Sequence, residues 1–210
     1  ENGKKVYTDS IFVCRRENNG YKWSFAGRLP YPVAHGASIS TNRGLLCIGG
    51  KTDDNDCNNV WLLQWDALTG KVTVDTDLPQ LPQACSYLSA TFIDNHIFIA
   101  GNTFDDLLKL EFRLGKEAQW QAQGKIPGKS RQGAVLIKQS NGENDCLYYF
   151  GGKNGNEYLT DAYYYNYNSP NPSLSEWIRL PDLPRPVFGI MTLAFSPVPT
   201  SLCRTSLPLL

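Results

Sequence analysis

Three apolar runs end in glycine, LLCIGG closing at Gly50, HIFIAG at Gly101 and LYYFGG at Gly152, so one feature recurs about every 51 residues. An apolar residue and a proline precede each run, at Leu29-Pro30, Leu81-Pro82 and Ile126-Pro127, and a fourth pair stands at Leu183-Pro184. Trp23, Trp120 and Trp177 each lie six residues ahead of such a pair, with Asp75 in the remaining place. A repeat of this length is one supersecondary unit, too small to bury its own apolar faces. The fold must therefore be an array of such units packed on one another.

Within a repeat the residues read as four strands. After the proline, segments such as His35 to Ser40 and Gly133 to Ile137 are small and apolar, as an inner strand packed on both faces requires. The run ending in glycine is the second strand, with glycine placed where a positive φ or a close backbone approach is needed. A polar loop leads to an aromatic third strand, Asn59 to Trp65 or Ala162 to Tyr167, and the fourth carries or flanks the tryptophan. Eighteen glycines, 13 prolines and 12% aromatic residues suit many short strands joined by tight turns. The expected class is all-β, in four-stranded antiparallel blades.

This arrangement of proline-led opening, double glycine and spaced aromatics resembles the kelch repeat, whose blades form β-propellers. The resemblance covers residues 29 to 195 and implies three complete blades between residues 29 and 180. Residues 4 to 28 supply the last two strands of a blade (KKVYTDSIFVCRR, then YKWSFAGR), and Leu183 to Phe195 supplies one first strand. The expectation is a single partial propeller domain over residues 1–195, followed by an irregular tail at residues 196–210 that has no glycine. Propellers close with about four to eight blades, so the chain reads as part of a six-bladed ring. The alternatives are that the two incomplete ends join as a fourth blade, or that the glycine turns belong to a sandwich of two face-packed sheets.

Charge narrows the partners. Twenty Lys plus Arg balance 20 Asp plus Glu, for a formal net charge of zero. No basic surface is thus available for a nucleic-acid backbone or an anionic membrane, and neither is an expected partner. Apolar runs such as Ala134 to Ile137 fall far short of the roughly 20 residues of a spanning helix. The chain begins at Glu1 without a signal-peptide pattern, so any such peptide is expected to have been removed or left out. The six cysteines, Cys14, Cys47, Cys57, Cys85, Cys146 and Cys203, show no CxxC and no neighbouring histidine, which argues against structural zinc. Their even number permits disulfides, although Cys47 in Leu45-Leu46-Cys47-Ile48 reads as a buried, reduced thiol.

Three stretches carry a closer resemblance: PVAHGASISTNRGLLCIGGK, LPDLPRPVFG and GGKNGNEYLTDAYYY. They look like the kelch proteins related to N-acetylneuraminate epimerase, the bacterial sialic-acid mutarotases, and particularly their cyclically permuted branch. That resemblance implies a six-bladed propeller that speeds exchange of sugar anomers, in a periplasmic or secreted setting. Such a reaction opens a hemiketal ring: a base takes the anomeric hydroxyl proton, an acid protonates the ring oxygen, and the two exchange roles on reclosure. No metal or organic cofactor is required, and a sugar carboxylate calls for a guanidinium.

The candidate residues follow. His35, five residues after Pro30, stands where kelch repeats often carry a histidine; it reads either as a structural hydrogen-bonding group or as a general base. Glu157, in the loop between Lys153 and Leu159, is the acidic candidate for proton transfer. The resemblance implies an acid and an arginine near the strand start Thr160-Asp161-Ala162, and here the acid stands without the arginine. Arg131 and Arg185 closely follow blade-opening prolines and are the substrate-binding candidates, each with the alternative of a solvated or blade-clamping arginine. His96 reads as structural or exposed. The loop Thr52-Asp53-Asp54-Asn55-Asp56 reads as a solvated acidic turn, because it lacks the glycine and distal glutamate of an EF-hand loop. No GxSxG, HExxH or GxxxxGK[ST] motif occurs. The rival to an enzyme is a non-enzymatic propeller that binds a protein or a carbohydrate at its loops.

Overall fold

The computed structural model describes residues 6–18, 20–113, 117–142, 144–167 and 177–189. The repeat resolves into three four-stranded antiparallel sheets, each in simple chain order. The first joins β3 (Ala37–Thr41), β4 (Gly44–Ile48), β5 (Val60–Asp66) and β6 (Lys71–Asp75). The second joins β7 (Ser89–Ile93), β8 (His96–Ala100), β9 (Asp106–Glu111) and β10 (Gln121–Lys125). The third joins β11 (Val135–Ser140), β12 (Asp145–Phe150), β15 (Ala162–Tyr165) and β16 (Trp177–Leu180), with the small hairpin β13 (Lys153–Asn154) and β14 (Glu157–Tyr158) inserted between its second and third strands. Ahead of them β1 (Ser10–Glu17) pairs with β2 (Gly20–Arg28). No helix occurs among the described residues.

The blades pack face to face because apolar residues alternate along their strands. In β8 the side chains of Ile97 and Ile99 point one way and those of Phe98 and Ala100 the other, and all four are buried. Ile97 and Ile99, with Leu108 and Leu110, meet Leu46, Ile48, Val60 and Leu62 of the first blade. Phe98 and Ala100, with Leu107, meet Leu136, Leu147, Tyr149 and Tyr165 of the third. Each fully buried Leu or Ile contributes about 1.5–3 kcal/mol of transfer free energy, so these two layers are what fix one blade against the next. The first strands sit innermost: β7 lies against both β3 and β11. The whole is a partial kelch-type β-propeller.

One sequence expectation, the first strand packed on both faces, is revised in part. In the central blade the second strand, β8, is packed on both faces, and in the third blade Val135 and Leu136, on opposite faces of the first strand, are both buried as expected. β3 leaves Ser38 and Ser40, on one face of the strand, exposed. Trp23, Trp120 and Trp177 each lie in or directly beside a blade's last strand, as expected, in different surroundings: Trp120 donates its indole N–H to the Pro79 carbonyl (3.3 Å), and Trp177 packs on Tyr149 and Tyr165. Trp23 is 69% exposed. Residues 183–189 carry no strand. In the other blades β3 and β7 begin seven residues after their proline and β11 eight, so the strand expected after Pro184 falls outside the described residues, as does the tail at 196–210.

The double glycines have a structural task that joins blades. The Gly50 N–H donates to the Cys85 carbonyl (2.8 Å) and the Gly152 N–H to the Val187 carbonyl (2.7 Å), each reaching the opening loop after the next proline. A Cβ on Gly50 would stand 2.6 Å from the Ala34 carbonyl oxygen, and one on Gly152 2.8 Å from that of Gln132. Both have positive φ, 104° and 87°. Only glycine satisfies the two demands together.

Candidate functional site at the blade-opening loops

In a four-stranded antiparallel blade, the loop before the first strand and the loop between the second and third strands lie at the same end. The opening loops (residues 30–36, 82–88, 127–134 and 184–189) therefore share an end with the loops that follow the double glycines. Glu157 reaches this end because Gly155 and Asn156 turn the β13–β14 hairpin, with Asn154 opposite Glu157 and Gly155 at φ 56°. The loop expected here is thus an ordered hairpin, and Gly-Asn between two short runs is its signal. The Glu157 carboxylate is exposed and pairs with Lys129 at 2.5 Å.

Arg131 is enclosed: the residue is 2% exposed. Its two terminal nitrogens each donate to one oxygen of Asp161 at 2.6 Å. Its Nε donates to the Lys129 carbonyl (2.9 Å) and Nη1 also to the Gly151 carbonyl (3.2 Å), while the guanidinium lies over the Tyr149 ring, 5.3 Å from its centre. Burial by itself raises the Asp161 carboxyl, but hydrogen bonds from Arg131 and Tyr163 and the guanidinium charge outweigh it and hold Asp161 below its ordinary value. For Arg131, burial works to lower the guanidinium, and Asp161 more than reverses that. The arrangement ties the opening loop of the third blade to the start of β15.

His35 and Arg185 are placed differently. His35 has φ 59°, accepts the Tyr87 N–H at its carbonyl (2.8 Å), and stacks its ring on Tyr87, centroids 4.5 Å apart and planes 24° apart. Arg185 is exposed, with no ion pair among the described residues. Around the same mouth stand Tyr7, edge-on to His35 at 6.1 Å; Phe188, 6.1 Å from Tyr87; and Tyr158, edge-on to Phe188 at 6.1 Å. Lys153 holds its ammonium 4.7 Å from the Phe188 ring centre. The Asp53–Asp54 loop closes on itself through the Thr52 N–H and Asn55 carbonyl (2.9 Å), with both carboxylates exposed. His96 opens β8 at the opposite end of its blade.

The chain is similar to known proteins over part of its length. No family model matches the chain. Proteins named N-acetylneuraminate epimerase do match: that of Brucella suis is 35% identical over 63 residues, 30% of this chain and 15% of its own length. That of Vibrio cholerae is 33% identical over 81 residues, 34% of this chain and 20% of its own length. The solved structure of YjhT shares the fold, with a TM-score of 0.60 and 10% identity over 85% of this chain and 60% of YjhT. Over about a third of its length the chain is similar to proteins named N-acetylneuraminate epimerase. The matched stretches thus span a fifth or less of those curated relatives.

The structure brings His35, Glu157, Arg131 and Arg185 to one end of the blades, with different surroundings. Arg131, from 30 residues upstream, stands against Asp161 of the strand start Thr160-Asp161-Ala162. Its fork is filled by a protein carboxylate, whereas Arg185 and Glu157 face solvent. Asp161, Lys129, Lys153, Tyr87, Phe188 and Tyr158 join them without being expected from the sequence. For Tyr87 a signal existed, because it stands five residues after Pro82 as His35 does after Pro30.

Proposed function

We propose that the full-length protein is a mutarotase that accelerates anomer exchange of a sialic acid or a related acidic sugar in a periplasmic or exported setting. The observation that carries this reading is the sequence likeness to proteins named N-acetylneuraminate epimerase. The placement of titratable groups at one propeller mouth is compatible with it. Ring opening needs a base at the anomeric hydroxyl and an acid at the ring oxygen. His35 and Glu157 are the groups assigned to these transfers, and Lys129 pairs with the Glu157 carboxylate and orients it. Arg185, exposed in the fourth opening loop, is assigned to the sugar carboxylate. Arg131 serves by holding the loop that carries Lys129.

Exchange NMR with N-acetylneuraminate on the full-length protein tests the reading. Arg185→Ala is expected to weaken binding about tenfold, the loss of one charge-assisted contact. His35→Gln and Glu157→Gln are expected to slow exchange by about a hundredfold with binding largely retained. If the wild type binds acidic sugar without accelerating exchange, the protein is a carbohydrate-binding module, a reading favoured by the exposed Tyr158 and Tyr31 rings near this mouth. If it does neither, the sugar reading falls.

A further inference from the structure

Four positions are equivalent around the channel mouth: His35, Tyr87, Gly133 and Gly189. His35, Tyr87 and Gly133 each stand two residues before their blade's first strand, Gly189 stands five residues after Pro184 as His35 does after Pro30, and all four have a left-handed backbone, with φ of 59°, 54°, 61° and 65°. They are linked in series, since the Tyr87 N–H donates to the His35 carbonyl, the Gly133 N–H to that of Tyr87, and the Gly189 N–H to that of Gly133 (2.8, 2.7 and 3.0 Å). Two blades use glycine there, as the conformation favours, and two carry a ring. A side chain in this region costs about 1–2 kcal/mol against glycine, so His35 and Tyr87 are held in strain that the same fold avoids elsewhere.

The glycine positions complete the surface. A Cβ on Gly133 would stand 2.6 Å from the Phe188 ring, so the absent side chain makes the space in which Phe188 lies beside Tyr87. The rings of His35, Tyr87 and Phe188, from the first, second and fourth opening loops, form a partly buried row, with Phe188 lying over Gly133 of the third. Lys153 adds a cation at the far end of the row, with no carboxylate paired to it among the described residues. Flat half-exposed rings flanked by one charge match a ligand with an apolar face and an anionic substituent.

We propose that Tyr87 and Phe188 form a platform on which the apolar face of a pyranose ring stacks, with Lys153 as a second cation, in addition to Arg185, for the sugar carboxylate. The proposal rests on the sugar reading above and deepens it by naming the subsite. It predicts an uncommon outcome. Tyr87→Gly relieves the backbone strain, so the melting temperature holds or rises, while the affinity for N-acetylneuraminate falls about tenfold. Phe188→Leu weakens binding similarly, and Phe188→Tyr restores it. Lys153→Gln weakens binding of N-acetylneuraminate and leaves that of its neutral methyl ester unaffected.

NMR titration gives these affinities, exchange NMR the rates, and calorimetry the melting temperatures, all on the full-length protein. Unchanged affinity in Tyr87→Gly and Phe188→Leu beside an active wild type would overturn the platform and leave the mutarotase reading standing. A lowered melting temperature with unchanged affinity in Tyr87→Gly would show the ring to be a packing element only, and would overturn the platform in the same way. Weakened binding in these variants without any wild-type exchange supports the platform and removes the catalysis. A wild type that binds no pyranose removes both.

Discussion

A guanidinium is stable inside the third blade because Arg131 meets a partner on each side: two Asp161 oxygens, two carbonyls and the Tyr149 ring. Removing one member of such a pair leaves a buried charge, at a cost of about 3–5 kcal/mol. Arg131→Leu is expected to lose stability of that size in urea unfolding at pH 7. The pH dependence has a definite sign. Asp161 is held below its ordinary value, so its contribution is present above the unfolded carboxyl pKa of about 3.9 and disappears as pH falls through the lower folded value. Comparing unfolding at pH 7 and pH 3, wild type should lose more stability than Asp161→Asn. An equal acid loss in both would mean that the pair does not form. The arginine was legible in the sequence as a loop residue after Pro127; its confinement was not, because Asp161 lies 30 residues away and only the fold brings them together.

At the scale of the strand and its loops, glycine placement separates tight contacts from mere turns. Gly152→Ala forces a Cβ within 2.8 Å of the Gln132 carbonyl and 2.9 Å of the Ala134 nitrogen at positive φ, whereas at Gly142 nothing lies within 4 Å of the added atom. Gly152→Ala is expected to cost about 2–4 kcal/mol, from overpacking added to backbone strain, and Gly142→Ala only about 1–2. Matched urea midpoints would show the difference, and equal losses would mean that the inter-blade contact is looser than described. The strand pattern itself was readable: β4, β8 and β12 coincide with the glycine-terminated runs, because alternation and glycine are local properties. What the residues do not announce is which face meets which neighbour. Ile97 and Phe98 are equally apolar, yet they enter different clusters, and that follows only from blade order. The aromatic row was hidden for a related reason, since Tyr87, Phe188 and Tyr158 come from three separate loops and none forms a motif alone.

Across the molecule, the three blades cover one another, but the β1–β2 pair leaves one face open. The cross-strand pairs Phe12–Phe25 and Cys14–Trp23, with Tyr21, put their side chains on that face, with Phe12 57%, Tyr21 77% and Trp23 69% exposed. At the other end, Ile178 of β16 is 46% exposed. Blade faces of this kind pack on neighbours in a propeller, and a chain of zero net charge has little long-range repulsion to keep such faces apart. The 210-residue chain is expected to self-associate, and Trp23→Lys with Tyr21→Lys to reduce that association in sedimentation velocity. A monodisperse wild type would show the face to be harmless. The amide links at the mouth have a mechanical consequence of their own. Tyr87, Gly133 and Gly189 fasten four opening loops end to end, like a hoop on staves, so a push on one loop is carried to its neighbours. These three amides should then exchange with deuterium at one shared rate, and a molecule seated on two blades would be held with the stiffness of four.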